Sequence, residues 1–157
     1  ILLQSLSCLN NDDWNLIEEI RIFGGGPLHD YVHEKVGILK GKGRPVTIGK
    51  YIKKNESVSL FLWADYVLLP SRIESIPLVF SDAMKCRCPV VSNPVGDLKK
   101  LVSEHNVGVL SENCSCEAFS NALKSIIKKA PCEYSKNIDD VAAMFDIEKI
   151  YIYLHNQ

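Results

Sequence analysis

Two acidic residues, Glu74 and Asp82, stand at either side of a segment whose pattern predicts a turn from strand into helix. The apolar run at 66–69 indicates a buried strand, Pro70 ends it, and Pro77 suits the first turn of a helix. The acids are eight positions apart, which is at most about 12 Å at helical rise. They are too far apart to share one proton or one metal at contact distance, but they can hold two parts of an elongated polyhydroxyl ligand.

A helix that begins between these acids and contains Asp82 is predicted to run from Pro77 to Cys86, with Ser75 or Ile76 as its cap. Free backbone N–H groups at a helix N-terminus favour an anion. Hydroxyl-binding acids at both ends and an anion site between them suit a sugar–diphosphate–nucleoside. A second strand at 89–91 completes a strand–helix–strand unit.

The same residues resemble the donor-binding motif of the family 4 retaining glycosyltransferases, which have the GT-B fold. That motif resembles P-S-x-x-E-G-F-P, then an acid eight positions after the first Glu, then A-M-A-x-G-x-P-V-V. Three positions differ from it: Ser75 replaces Gly, Ile76 replaces Phe, and Asp82 replaces the second Glu. The matching segments are Pro70–Pro77, Asp82, Ala83–Met84 and Cys88–Val91.

The resemblance implies a role for each matched residue. Glu74 would be the catalytic residue that contacts hydroxyls of the transferred sugar, and Asp82 would hold the ribose hydroxyls. Backbone N–H groups at the start of the helix would hold the diphosphate. The remaining donor-binding residues implied are Ser75, Ile76, Pro77, Leu78, Arg72, Gly24, Gly49, Tyr51 and Ile52.

Two glycine-bearing segments precede the motif, and each leaves two interpretations open. Gly24–Gly26 follow a predicted strand at 17–23 and precede a predicted helix at 28–39, so they either admit a phosphate or sugar or form a tight turn. Gly49 ends a predicted strand at 46–49. By resemblance, Lys50 to Ile52 line a nucleobase pocket; the alternative is a plain loop with Tyr51 in the core.

Strands and helices are predicted to alternate along the chain, which favours the α/β class: a Rossmann-like parallel sheet with helices on both faces. Ligands bind such sheets beyond the carboxyl ends of the strands, and Gly24, Gly49 and Glu74 each follow such an end. Further predicted elements are a helix over 1–9, a turn at 10–13, a short helix at 98–102, a strand at 107–110, a helix over 118–127 stopped by Pro131, and helical structure over 138–154.

We predict one nucleotide-sugar-binding domain over residues 1–157, because no linker, repeat or low-complexity segment interrupts the chain. By resemblance it is the C-terminal half of a GT-B enzyme. The acceptor-binding half, and the first strand of this half with its phosphate-clamping Arg and Lys, would lie outside it. Such a unit alone would be inactive. The family's Gly-Gly-x-x-Glu loop reads Gly96-Asp97-Leu98-Lys99-Lys100 here, without the second Gly or the Glu.

Composition limits the partners. A net charge of −1 gives no reason to expect nucleic acid, and the chain has neither a signal-peptide pattern nor an apolar run long enough for a membrane span.

The Cys-x-Cys pairs at 86–88 and 114–116 lack zinc-ligand spacing, so free thiols in a reducing cytoplasm are expected, with Cys86 and Cys88 as core residues. His29 and His33 lack further ligands. We expect no metal and no cofactor beyond the donor.

The leading hypothesis is therefore a retaining glycosyltransferase that makes a polysaccharide or glycoconjugate in the cytoplasm. Its partners would be a nucleotide-sugar donor and a sugar or lipid-linked acceptor held by a separate N-terminal domain, and the full-length enzyme could associate peripherally with the inner membrane face. The alternative is a non-catalytic nucleotide-sugar-binding or assembly domain. A dinucleotide-binding oxidoreductase is disfavoured, since Gly24–Gly26 do not form G-x-G-x-x-G.

Overall fold

The computed structural model describes residues 1–146, except the side chains of Lys54, Asn55 and Ser135. Helices and strands alternate from β1 to α7, as the sequence predicts. The elements are α1 Leu2–Ser7, α2 Asn11–Trp14, β1 Ile20–Phe23, α3 His29–Gly41, β2 Val46–Gly49, α4 Lys54–Trp63, β3 Val67–Leu69, α5 Leu78–Lys85, β4 Val90–Ser92, α6 Leu98–His105, β5 Gly108–Leu110, α7 Cys116–Ile126, a 3₁₀ turn Pro131–Glu133, and α8 Ser135–Ala143.

All strand pairings in the described residues are parallel, which confirms the predicted α/β class. The strands nevertheless form two sheets rather than the single sheet expected. In one sheet β1 pairs with β2, and Phe23 lies opposite Gly49. In the other, β4 lies between β3 and β5, so that Leu69, Ser92 and Leu110 are in register at the carboxyl ends.

The two sheets are separated by a cleft between β1 and β3. It contains a cavity of about 800 Å³. Helices α1 and α7 contribute leucine and isoleucine side chains to its lining, and α4 contributes Leu60 and Phe61. Arg21 of β1 also lines it and stacks over the Trp63 ring, 3.8 Å from the ring centroid. The Arg21 guanidinium hydrogen-bonds Glu19 and thereby lowers the pKa of that carboxyl.

The core is built around β4, which among the strands of residues 1–146 is the one whose residues are all buried. Val90 and Val91 are fully buried, with Phe80 from α5 and Phe119 from α7 packed in the same cluster. Burial of one such large apolar side chain contributes roughly 1.5–3 kcal/mol to folding. The three-stranded sheet is therefore the rigid part of the molecule on which the segment at 70–77 is mounted.

The predicted cap of α5 is wrong. The N-cap is Pro77, with no side-chain hydrogen bond, and the helix runs from Leu78 to Lys85. An N-cap side chain accepts a hydrogen bond from the N–H group of the second or third helical residue. In α5 these residues are Val79 and Phe80. Ser75 precedes the N-cap by two residues and is not in position to bond either of them. Its hydroxyl lies instead 3.5 Å from the Asp97 carboxylate.

The segment predicted as a turn at 10–13 contains the start of the short helix α2. Asn10 accepts a hydrogen bond from the Asp13 N–H group, and the Asp13 carboxylate accepts one from the Asn10 N–H group. This reciprocal capping satisfies helix-end donors that would otherwise be unpaired. At the other end of the chain, Pro131 begins a 3₁₀ turn after α7, and the predicted tail lies beyond the described residues from position 147 onwards.

Free thiols are present at Cys8, Cys86, Cys88, Cys114 and Cys116. Cys88 is buried, its thiol lies 3.3 Å from the Ala64 carbonyl oxygen, and burial raises its pKa to about 12. Cys86 is half-buried. Cys88 is therefore a core residue, as predicted, whereas Cys86 lies at the core's margin.

Candidate functional site

The cavity between the sheets reaches the carboxyl ends of the strands, where most ligand contacts on parallel sheets are made. Four residues of the predicted site line it together: Gly24 after β1, Tyr51 and Ile52 after β2, and Asp82 in α5. Pro70, directly after β3, lies at the same cavity. Segments that are far apart in the sequence thus meet at one place, although they belong to two separate sheets.

Asp82 is half-buried in the middle of α5. Its neighbours Ser81, Ala83 and Met84 are buried, which fixes the helix against the core. Val79, one turn earlier, lines the same cavity as Asp82. This face of α5 therefore presents a carboxylate to the cavity from a rigid element.

The start of α5 offers free donors. In the described part of the chain, no hydrogen bond uses the backbone N–H groups of Ile76, Leu78 or Val79, while the Phe80 N–H donates to the Pro77 carbonyl oxygen at 2.9 Å. Unpaired N–H groups at a helix N-terminus attract anions. These groups lie between Glu74 and Asp82 in the chain, at the position predicted for a diphosphate.

Glu74 lies in the exposed loop 70–77 between β3 and α5. Its carboxylate is 3.4 Å from the Ser71 hydroxyl, at the long end of hydrogen-bond range. Arg72, Ser75, Ile76 and Leu78 are also exposed. None of these residues lines the cavity. Apart from Pro70 at its start, the loop therefore lies outside the lining of the cavity.

Tyr51 lies against the Gly24–Gly26 turn and is not the core aromatic of the alternative interpretation. Its side chain is 82% exposed, and a Cβ at Gly25 would lie 3.3 Å from its ring. Tyr51 also lines a second pocket of about 510 Å³ with Phe23, Lys50 and Ile52. The aromatic residue is thus placed on the surface of a pocket, as a base-stacking role requires.

Gly49 has a packing explanation that does not involve a ligand. It lies opposite Phe23 in the β1–β2 register, and a Cβ at this position would overlap the Phe23 ring. Gly49 lines neither the cavity nor the second pocket. Its missing side chain makes room for Phe23, which does line both.

Sequence reasoning missed Asn93 and Gly96, which follow β4 and contact the Glu74 loop. The Asn93 side chain is fully buried and its Nδ2 donates to the Ser71 carbonyl oxygen at 3.0 Å. Gly96 has φ +49° and lies against the carbonyl groups of Glu74 and Ser75. The sequence placed Asn93 after the strand at 89–91 and matched Gly96 to the start of the family loop, but neither pattern indicated a contact with the Glu74 loop.

No three or more His, Cys, Asp or Glu side chains within residues 1–146 are arranged to hold a metal ion. Nor does any helix in that range have the length and apolar character needed to cross a membrane. The features of the site are therefore carboxylates, free N–H groups and one exposed aromatic ring.

The family model described as glycosyl transferases group 1 matches residues 2–145. The chain belongs to this family. Among curated relatives, it is 35% identical over 71 residues to a D-inositol 3-phosphate glycosyltransferase from Paenarthrobacter aurescens, a match that covers 45% of this chain and 17% of the relative. The chain thus spans only a small part of that protein's length.

Two solved structures of the family's fold are similar to the chain. The Anabaena protein HepE in complex with UDP has a TM-score of 0.74 at 21% identity, covering 99% of this chain and 44% of HepE. The C-terminal domain of the group 1 protein LpcC from Francisella tularensis has a TM-score of 0.71 at 19% identity, covering 92% and 76%. At these identities the likeness shows the fold, which is that of the GT-B glycosyltransferases.

Substitution of Gly49 tests its packing role. We expect Gly49→Ala to lower the free energy of unfolding by about 1–3 kcal/mol, because the added Cβ must displace the Phe23 ring. The matched control is Gly37→Ala in α3, where a Cβ meets nothing within 4 Å; it should stabilise the chain by about 0.5–1 kcal/mol. Urea unfolding measures both. A Gly49→Ala protein as stable as the unsubstituted chain would show that Phe23 does not need this space.

Proposed function

We propose that this chain is the nucleotide-sugar-binding part of a retaining glycosyltransferase and corresponds to the C-terminal half of a GT-B enzyme. The observation that carries the proposal is the start of α5. Its unpaired N–H groups lie between the exposed Glu74 and the cavity-lining Asp82. Membership of the family supports the reaction class, and HepE, which shares the fold, has been solved with UDP and with UDP-glucose.

Each part of a nucleotide-sugar has a matching group in this arrangement. The base stacks on Tyr51 beside Ile52, the ribose hydroxyls donate to the Asp82 carboxylate, and the diphosphate accepts from the N–H groups of Leu78 and Val79. Glu74, in the exposed loop that follows β3, contacts the sugar that is transferred. Charged hydrogen bonds of this kind contribute roughly 1.5–3 kcal/mol each, so removal of one of these partners should have a measurable effect.

The acceptor would bind to a second domain, because Glu74 lies in an exposed loop outside the lining of the cavity. Transfer needs donor and acceptor held in a fixed mutual orientation, and a single wall cannot hold both. We therefore propose that residues 1–157 alone bind donor without transferring sugar. The product would be a polysaccharide or glycoconjugate, made on the cytoplasmic side of a membrane. If the full-length protein bound donor without turnover, the non-catalytic assembly role would be favoured.

The cleft between β1 and β3 also supports the proposal that this chain is one part of a longer protein. Edge strands present unpaired N–H and C=O groups, and here two such edges face a cavity with helices on both sides, which is the environment of a buried parallel strand. The start of α1 lies near the carboxyl edge, since the Cys116 thiol at the start of α7 approaches the Gln4 side chain. We propose that a strand preceding Ile1 fills the part of the cleft between β1 and β3 and leads into α1, while the donor binds beyond the carboxyl ends of the strands.

Donor binding is the first test. In NMR titrations of residues 1–157, UDP and UDP-glucose should shift the amide signals of Gly24, Tyr51, Leu78 and Val79. We expect a dissociation constant in the high micromolar to millimolar range, about −4 to −6 kcal/mol. Uridine, which lacks the diphosphate, is the matched ligand control and should leave Leu78 and Val79 unshifted. Shifts confined to another surface would contradict the proposed site.

Kinetics of the full-length protein separate the two acids. Glu74→Ala should lower kcat at least tenfold, because its contact is to the reacting sugar and acts mainly in the transition state. Asp82→Ala should raise KM for the donor roughly tenfold with kcat little changed, since a ribose contact is remote from the reaction. Glu104→Ala, an exposed acid on α6, is the control. An unchanged donor KM in Asp82→Ala would refute the ribose contact.

The strand proposal is tested by amide hydrogen exchange. Extending the chain upstream of Ile1 by about ten native residues should slow exchange at least tenfold for edge amides of β1 and β3. The amides of β5 at the far side of its sheet serve as an internal control and should be unaffected. NOEs from the added residues to both β1 and β3 would establish the parallel register. Equal exchange with and without the extension, or NOEs to only one sheet, would overturn it.

A further inference from the structure

The loop between β4 and α6, residues 93–97, contacts the loop that carries Glu74. Asn93 is the first residue after β4, and its side chain is completely buried. Its Nδ2 donates to the Ser71 carbonyl oxygen at 3.0 Å, and its Oδ1 accepts from the Ser111 hydroxyl at 2.7 Å. One amide thus joins the segments that follow β3 and β5 at the level where both strands end.

The second contact lies beyond Glu74. Gly96 has φ +49° and packs so closely that a Cβ there would lie 2.6 Å from the Ser75 carbonyl oxygen and nearer still to that of Glu74. The next residue, Asp97, donates its backbone N–H to the Ser75 carbonyl oxygen at 3.2 Å. The backbone on both sides of Glu74 is therefore fixed by residues of a single loop.

These contacts hold a segment that has little other support. Glu74 and its neighbours Arg72, Ile73 and Ser75 are exposed, and Ile73 is 90% exposed. Ordering the backbone of one such residue costs about 1–2 kcal/mol. The hydrogen bonds from Asn93 and Asp97 offset part of this cost before a ligand binds, so the loop is preorganised.

We propose that Asn93 and Gly96 are positioning residues. They contact the backbone of the loop that carries Glu74 and thereby fix the position of its carboxylate without touching the donor. Asn93 holds the loop at Ser71, and Gly96 sets how closely the loop can approach β4. The proposal rests on the proposed function for the role of Glu74, but the holding of the loop does not depend on that role.

This proposal also accounts for a glycine that sequence comparison leaves ambiguous. Gly96 matches one glycine of the family loop that is otherwise changed here, and a glycine at such a place is readily interpreted as room for a ligand. In this structure the space above its Cα is taken by the backbone of Glu74 and Ser75. The requirement for glycine comes from the loop that Gly96 supports.

Gly96→Ala in the full-length protein is the principal test, with Gly43→Ala as the matched control. Both glycines have positive φ, +49° and +73°, but a Cβ at Gly43 meets nothing within 4 Å. The two substitutions therefore share the conformational cost of the left-handed region and differ in the clash with the Glu74 loop. We expect Gly96→Ala to lower kcat 10- to 100-fold with donor KM changed less than threefold, because misplacement of about 1 Å at a reacting group has an effect of this size.

Gly43→Ala should retain kcat within a factor of two. A fall in kcat shared equally by the two variants, or a normal kcat in Gly96→Ala, would overturn the proposal. A general loss of structure is recognised by near-ultraviolet circular dichroism. If Gly96→Ala fails to fold, Asn93→Ser provides the same kinetic comparison, because it removes the Nδ2 donor and keeps a small polar side chain.

A ligand-free measurement separates this proposal from the proposed function. Amide hydrogen exchange at Asp97, whose N–H donates to the Ser75 carbonyl oxygen, should be at least tenfold faster in Asn93→Ser and Gly96→Ala than in Gly43→Ala. If the unsubstituted protein neither binds UDP nor transfers sugar, the proposed function fails, and this exchange result still decides whether Asn93 and Gly96 hold the loop. Unchanged exchange in both variants would refute their positioning role even in an active enzyme.

Discussion

The parallel register of β3, β4 and β5 is the constraint on which the site depends. It brings Leu69, Ser92 and Leu110 to one level, so the loops that follow these strands emerge side by side. Asn93 then links two of those loops through a single buried amide. Because both polar ends of this side chain have partners, its burial avoids the penalty of an unpaired polar group, about 1–3 kcal/mol. A shift in register would separate Asn93 from Ser71 and leave the Glu74 loop without its support.

Packing is tight around β4 and looser beside the cleft between the two sheets. Around β4 the side chains are fully buried, whereas residues of β1, β3 and α4 beside the cleft are only partly covered. Leu62 and Trp63 of α4 remain 70% and 46% exposed. The residues proposed to bind the donor are therefore divided between a well-packed wall, which carries Asp82, and a less supported one, which carries Tyr51. Closing the cleft with a strand would fix the distance between them, and donor affinity would depend on that distance.

Local patterns predicted the elements well. The strand at 46–49 was predicted to the residue, and the run from strand to helix around Pro77 within one or two positions, because apolar runs and proline act over short distances. The division into two sheets could not be predicted in this way, since strand pairing depends on residues distant in sequence. The cap at Ser75 failed for a related reason: its hydroxyl lies close to Asp97, a residue more than twenty positions away.

Four residues of the predicted site line one cavity, but the structure gives Gly49 and Gly96 packing roles that the sequence did not indicate. Gly49 and Gly96 both occupy positions where a ligand-binding motif would place a glycine, and in each case a protein group takes the space: the Phe23 ring beside Gly49, and the Glu74 backbone beside Gly96. A sequence shows that a side chain is absent but not what needs the room. At Gly96 the space is taken by the backbone of the loop that carries Glu74, the proposed catalytic residue. Glycine is therefore needed both for packing and for the position of Glu74. Substitution there would move Glu74 without altering its chemistry.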